Sequence, residues 1–269
     1  MKHTKELFSL DGKVAIVTGG RGLYGGCIST GLCEMGAKVV IASRNGAACD
    51  EYAQGLRDQG YEAIGLSLDL SSDESIKSLV KEVVDRYGKI DILVNNAVDR
   101  RNMVSLQNAT REKLQASADT NLQGQILLSQ AVLEYMIPVE SGSIINISSM
   151  RGIDCPHFPF YPETWGDQAV NYTTEKWAMV GLTKYMAGRY GKHNIRVNCI
   201  APGGSDPEQG GLAFDPAKKA FVDTYNANCP LGRFANQDDI KGPVCFLASE
   251  ASAYVTGATL VMDGGWTIW

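Results

Sequence analysis

Residues 14–25 read Val-Ala-Ile-Val-Thr-Gly-Gly-Arg-Gly-Leu-Tyr-Gly. The first five are apolar and mostly β-branched, as in a short buried strand. Gly19 to Gly26 is a glycine loop, and Ile28 to Met35 reads as a helix ended by Gly36. A strand that runs through glycines into a helix suits a dinucleotide. Glycine lets the backbone turn tightly and approach a pyrophosphate, which then rests on the helix N-terminus. Any tight turn can use glycine, so the rest of the chain has to agree.

The rest does agree. The pattern predicts further strands over 38–42, 63–68, 90–94, 143–147, 196–200 and 259–262. It predicts helices over 47–59, 75–87, 111–136, 172–190 and 238–248. Repeated strand–helix–strand units imply an α/β fold: one doubly wound parallel sheet, Rossmann-like, in a single domain over residues 1–269. Such a sheet binds its ligand beyond the carboxyl ends of the strands, so the residues after each strand are the candidates for chemistry.

Composition narrows the class. The chain has 269 residues, 44% hydrophobic and 20% charged, which excludes a disordered chain, a fibrous repeat and a disulfide scaffold. A net charge of −5 is a poor match to a nucleic-acid backbone. No apolar run approaches the ~20 residues of a membrane span. Met1 to Asp11 is charged and lacks an apolar core, so no signal peptide is expected. The seven cysteines are irregularly spaced without a C-x-x-C pair, and the three histidines are scattered at 3, 157 and 193. That usage predicts reduced thiols in a cytoplasmic protein and no metal site.

The second strand ends in Ala42-Ser-Arg-Asn45, where an acidic residue would accept hydrogen bonds from the ribose of NAD. Ser43 and Arg44 stand there instead. Arg44 suits a 2′-phosphate, with Arg21 assisting, so NADP is the expected cofactor and NAD the alternative. The plainer reading is two solvated surface arginines.

Tyr172-Thr-Thr-Glu-Lys176 opens a predicted helix, and residues four apart share a face. An ammonium one turn from a phenol favours the phenolate, as a general acid/base requires. The spacing alone is cheap, since Tyr185 to Arg189 repeats it with another base. Context adds weight: Ile144-Ile-Asn-Ile-Ser-Ser149 is a strand ending in hydroxyls able to hold a carbonyl or carbinol oxygen. Asn95-Asn-Ala97 follows the fourth strand, and Asn121 lies in the long helix.

From Leu10 to Trp266 these pieces, taken in order, resemble the short-chain dehydrogenase/reductase family in its compact, single-domain branch. They are the glycine loop, Asp69-Leu70, Asn95-Asn96-Ala97, Asn121, Ser149, Tyr172/Lys176, Pro202-Gly203 and Asp263-Gly264-Gly265. The resemblance implies hydride transfer between a nicotinamide and a secondary alcohol or ketone. It makes Tyr172 the acid/base, sets Lys176 on the nicotinamide ribose and Ser149 on the substrate oxygen, and gives Asn121 a water relay to Lys176. It implies Gly19, Arg21, Leu23 and Tyr24 at the pyrophosphate, Asp69 and Leu70 at the adenine, and Asn96 at its ribose. Pro202 and Gly203 fall near the nicotinamide. Pro207 replaces a threonine that often meets the carboxamide, with Ser205 as the substitute. A homotetramer is also implied.

Several features depart from that pattern. The spacing Gly19-x-x-Gly22-x-x-Gly25 resembles the family's extended branch, whose epimerases and dehydratases with tightly held NAD are an alternative. The 97 residues after Tyr172 match the compact ending. Val98 stands where a glycine is common. Ser149 and Tyr172 are 23 residues apart, longer than is usual. The resulting insert, about 150–171, carries Arg151, Asp154, His157, Tyr161, Glu163 and Trp165. Long loops at a ligand edge are usually functional. Ser149, Arg151, His157 and Tyr172 are therefore expected to meet substrate, with Arg151 pairing a carboxylate. The expected substrate is a small polar sugar, polyol or sugar acid. A Gly/Asp/Pro-rich segment at about 204–216 suits a lid, with Phe158 and Phe214 closing on substrate. The apolar ending Gly265-Trp-Thr-Ile-Trp269 predicts burial against another subunit or against its own domain. A nucleotide sensor without catalysis is the remaining alternative, and intact Ser149, Tyr172 and Lys176 weigh against it.

Overall fold

The computed structural model describes residues 1–161, 167–205 and 216–269. A short helix, α1 (Thr4–Leu7), precedes strand β1 (Val14–Thr18). The chain then alternates: α2 (Leu23–Glu34), β2 (Lys38–Ser43), α3 (Gly46–Arg57), β3 (Ala63–Ser67), α4 (Asp73–Tyr87) and β4 (Ile92–Asn95). After α5 (Arg111–Ala118) and α6 (Gly124–Met136) come β5 (Gly142–Ile147), α7 (Val170–Tyr190), β6 (Ile195–Pro202), α8 (Pro216–Asn228), α9 (Lys241–Ala248) and β7 (Thr259–Met262).

The seven strands pair in the order β3-β2-β1-β4-β5-β6-β7, parallel throughout. Strand pleating sends alternate residues to opposite faces. Ala15 and Val17 of β1 join one core with Ile28, Leu32, Ala53 and Val244 from α2, α3 and α9. Val14 and Ile16 join the other, with Leu79, Val83, Leu128 and Val132 from α4 and α6 and Met186 from α7. Every residue of β1 is buried, as expected of a strand covered on both faces. The strand order reverses beside β1, which pairs with β2 on one side and β4 on the other. The exits of β1 and β4 therefore open a crevice at the carboxyl edge.

Three elements differ from the sequence reading. Helix α2 begins at Leu23, with Gly25 and Gly26 inside it. The loop closes early because Gly19 takes a left-handed φ of +64° and its carbonyl packs against Gly25, where a Cβ would overlap it. The long helix expected over 111–136 is interrupted by a π turn, Asp119–Gln123, that separates α5 from α6. Such turns often lie at functional sites. Helix α8 was not expected; its proline at the first position is a start signal that the Gly/Asp/Pro composition of the preceding sequence hides. Within the insert the chain makes two short 3₁₀ turns, Met150–Gly152 and Phe158–Phe160. Glu163 and Trp165 of the insert, and Pro207 and Phe214 of the expected lid, lie outside the described residues. Among the described residues no helix is long and apolar enough to cross a membrane.

Two glycine substitutions separate packing from propensity. Gly25→Ala forces a methyl into the Gly19 carbonyl and is expected to destabilise the fold by about 1–3 kcal/mol. Gly55→Ala, in α3 with open space around it, is expected to stabilise by about 0.5–1 kcal/mol. Thermal and urea denaturation of the two variants check both signs.

Candidate active site

The crevice is pinned by one side chain. The Thr18 hydroxyl accepts hydrogen bonds from the backbone N–H groups of Asn96 and Ala97, both at 3.0 Å. In return the Asn96 amide donates to the carbonyls of Thr18 at 2.9 Å and Gly19 at 3.3 Å. The ends of β1 and β4 are thus held open and parallel, with the glycine loop over them.

A cavity of about 980 Å³ runs along this edge. Gly19, Arg21, Gly22, Leu23 and Tyr24 line its middle. Gly22 caps α2 without a side-chain bond, leaving the first-turn N–H groups for an anion. At one end stand Ser43, Arg44 and Asn96, above a smaller pocket walled by Leu68, Leu70 and Val98. At the other end stand Met150, Arg151, Gly204 and Ser205. This end has an aromatic wall: Tyr225 stacks between Phe234 (3.8 Å) and Trp266 (4.3 Å), and Phe160 meets Trp266 edge-on at 5.1 Å. The Tyr225 hydroxyl accepts from the Gly204 N–H at 2.9 Å, and burial pushes its phenol up to about 12. Trp266 is thereby buried against its own domain, whereas Trp269 is exposed.

Ser149, Tyr172 and Lys176 stand beside this cavity rather than in its wall. Lys176 is buried, and its Nζ donates to the Ile147 carbonyl at the end of β5 (2.8 Å) while lying 5.7 Å from the centre of the Tyr172 ring. The two adjacent serines divide the work. Ser148 Oγ donates to the Lys176 carbonyl at 2.7 Å and ties strand to helix. Ser149 Oγ accepts from the Arg151 N–H at 3.1 Å, which leaves its own proton free. Asn121 sits in the π turn, buried. Its Oδ1 accepts from the Asp99 N–H (2.7 Å), and its Nδ2 donates to the Asp99 carbonyl and to Glu175 Oε2 (both 3.0 Å).

Other expected site residues fall as follows. Arg151 is buried; its guanidinium donates to the Cys155 carbonyl at 2.9 Å and to the Tyr161 hydroxyl, with donors left over. His157 is exposed, its ring against Phe160 at 4.4 Å, and is absent from the cavity wall. The Asp69 carboxylate accepts from the Ser71 N–H and hydroxyl, which lowers its pKa and commits it to its own turn. Pro202 is the last residue of β6, and Gly203 lines a neighbouring groove. Six cysteines are buried and Cys155 is exposed.

Two buried carboxylates escaped the sequence reading. Glu175 lies three residues after Tyr172 on one helix face, a spacing that could have flagged it. Asp99 has Arg101 two residues on as its local signal, whereas its other partner, Arg44, is remote in sequence. It pairs with Arg44 at 3.1 Å and with Arg101 at 2.5 Å. Hydrogen bonding from Arg101, its main cause, holds the carboxyl down to about 2.

These features define a nucleotide-binding oxidoreductase fold with a Ser-Tyr-Lys edge, and residues 24–267 match a family model described as enoyl-(acyl carrier protein) reductase. The chain belongs to the short-chain dehydrogenase/reductase family. It is 32% identical over 261 residues to a D-threitol dehydrogenase of Mycolicibacterium smegmatis, covering 97% of this chain and 95% of the relative. It is 34% identical to a 3-oxoacyl-[acyl-carrier-protein] reductase of Vibrio cholerae over 259 residues, 96% of this chain and 98% of the relative. The structure of a gluconate 5-dehydrogenase from Burkholderia cenocepacia, in complex with NADP and tartrate, superposes with a TM-score of 0.87 at 34% identity, covering 99% of this chain and all of that one.

The Asp99 pair sets an acid limb. A carboxyl titrating near 3.8 when unfolded and about 2 when folded stabilises the protein above pH 4 and loses that contribution as pH falls toward 2. Asp99→Asn is expected to flatten the fall in unfolding free energy over this window by about 1–2 kcal/mol, screening by the exposed arginines included. Urea titrations at pH 2 to 5 measure it.

Proposed function

We propose that the protein is an NADP(H)-dependent oxidoreductase that interconverts a secondary alcohol and a ketone on a small polar sugar, polyol or sugar acid. The observation that carries this reading is Lys176: its ammonium is anchored to the end of β5 and lies 5.7 Å from the Tyr172 ring, beside Ser149. The residues suit the cofactor. The open first turn of α2 meets a pyrophosphate, Arg44 and Arg21 a 2′-phosphate, and Leu70 and Val98 an adenine.

When bound, the nicotinamide supplies the hydride acceptor or donor. The chain's own residues handle the proton and the oxygen. Ser149, with its proton free, donates to the substrate oxygen. Tyr172 takes the hydroxyl proton during oxidation and returns it during reduction. The Lys176 ammonium, held by the end of β5, stands over the ring of that tyrosine. Asn121, clamped by Asp99 and Glu175, keeps the π turn against this group.

Support for the substrate class comes from the aromatic wall and Arg151. Aromatic faces pack on the C–H face of a polyol, and the spare guanidinium donors suit a carboxylate. The dehydrogenase relatives named for threitol and gluconate agree with that chemistry. We further propose a cytoplasmic homotetramer. The seven free thiols fit a reducing compartment. Leu114, Ile126, Leu127, Trp177 and Tyr185 on α5, α6 and α7 are exposed apolar residues suited to a subunit contact.

Nicotinamide fluorescence titrations with NADPH and NADH, followed by a screen of polyols and aldonic acids, test the reading. NADPH is expected to bind tighter. NADH preference would remove the NADP assignment, and binding of neither would remove the reading of the glycine loop as a cofactor site. Arg44→Ala is expected to weaken NADPH about tenfold with little change for NADH. Tyr172→Phe is expected to lower kcat about 10²–10⁴-fold while NADPH binding persists.

A further inference from the structure

Five buried side-chain polar atoms among the described residues lack a hydrogen-bond partner, and Tyr24 Oη is one of them. It alone belongs to a residue lining the main cavity. Tyr24 sits on the first turn of α2, one residue before Gly25. Ser205, from the chain leaving β6, stands close enough to its hydroxyl to oppose the rise in its pKa but outside ordinary hydrogen-bond geometry, while Tyr225, Asp239 and Tyr172 act on it the other way. Burial raises this phenol beyond its ordinary range, so it keeps its proton and stays a donor. A buried hydroxyl left unpaired costs more than its bond would contribute, which makes an acceptor inside the cavity the expected complement.

The cavity indicates which acceptor. On the reading above, the adenosine end lies at Ser43 and Arg44, and the pyrophosphate lies on the first turn of α2. The other half of the dinucleotide then extends toward Ser205, the side on which Tyr24 Oη lies. The polar substituent of a nicotinamide ring is its carboxamide. We propose that Tyr24 donates a hydrogen bond from its hydroxyl to the carboxamide oxygen of the nicotinamide and so fixes the rotation of the ring presented to substrate. Tyr24 is a positioning residue in this scheme, and the assignment rests on the NADP(H) reading.

Tyr24→Phe removes the oxygen and keeps the ring. Calorimetric titrations of wild type and variant with NADPH and with 2′-phospho-ADP-ribose, which has no nicotinamide, test the assignment. The variant is expected to weaken NADPH about three- to tenfold, the range of one neutral hydrogen bond, and to leave the fragment unchanged. A second probe, thio-NADP, replaces the carboxamide oxygen by a poor acceptor. Wild type is expected to bind it more weakly than NADP, and the variant to bind the two alike. Equal weakening of NADPH and the fragment would mean a disturbed loop and overturn the proposal. Unchanged NADPH binding with a raised substrate KM would assign the hydroxyl to substrate and also overturn it. Failure of wild type to bind either NADPH or the fragment would refute the cofactor reading itself, a different result from any of these.

Discussion

The hydroxyl of Thr18 is the point on which the site depends. A parallel sheet with its order reversed beside β1 creates a crevice, but two strands that merely diverge would let the loops above them wander. Thr18 takes both N–H groups of the β4 exit, and Asn96 returns its amide to the carbonyls of the β1 exit. The bonds are buried or half-buried and reciprocal, so each keeps the other's polar groups satisfied. The glycine loop, the start of α2 and the pocket walled by Leu68, Leu70 and Val98 all take their positions from this join.

From there the site is built outward by side chains that hold other side chains. Ser148 ties β5 to α7, so Lys176 reaches the end of the strand at a fixed height. Asn121 works as a peptide mimic, matching both backbone groups of Asp99, and needs a π turn to do so. Asp99 in turn holds Arg44. A chain of direct contacts therefore leads from Glu175, next to Lys176, to Arg44 beside Ser43 in the cavity wall. Glu175, Asn121 and Asp99 are polar and buried while Arg44 is exposed, so the inner members favour one arrangement over a spread of loose ones.

The strands were legible because burial on both faces leaves a continuous apolar run, as in Val14–Thr18 and Lys38–Ser43. The family was legible because its motifs follow one another in order along the chain, and Tyr172 and Lys176 meet on one face of α7 as their spacing requires. What escaped depends on contacts between distant segments. Asp99 is half legible: Arg101, two residues on, supplies its main partner, whereas no window around it records Arg44. The aromatic wall joins Phe160, Tyr225, Phe234 and Trp266 from four separate stretches. His157 shows the opposite failure: a chemically suggestive residue in the insert whose ring packs on a neighbour and faces solvent. The start of α2 at Leu23 was hidden because two helical glycines read as loop when the Gly19–Gly25 contact is not known.

The uneven burial of the thiols has a practical side. Six cysteines are sealed in the protein, and the seventh, Cys155, is exposed on the segment whose carbonyl holds the Arg151 guanidinium. A maleimide fluorophore offered to the unaltered protein would find a single attachment point next to Arg151 at the cavity wall. Its emission would then register rearrangements of that segment as ligands enter, with no engineered label.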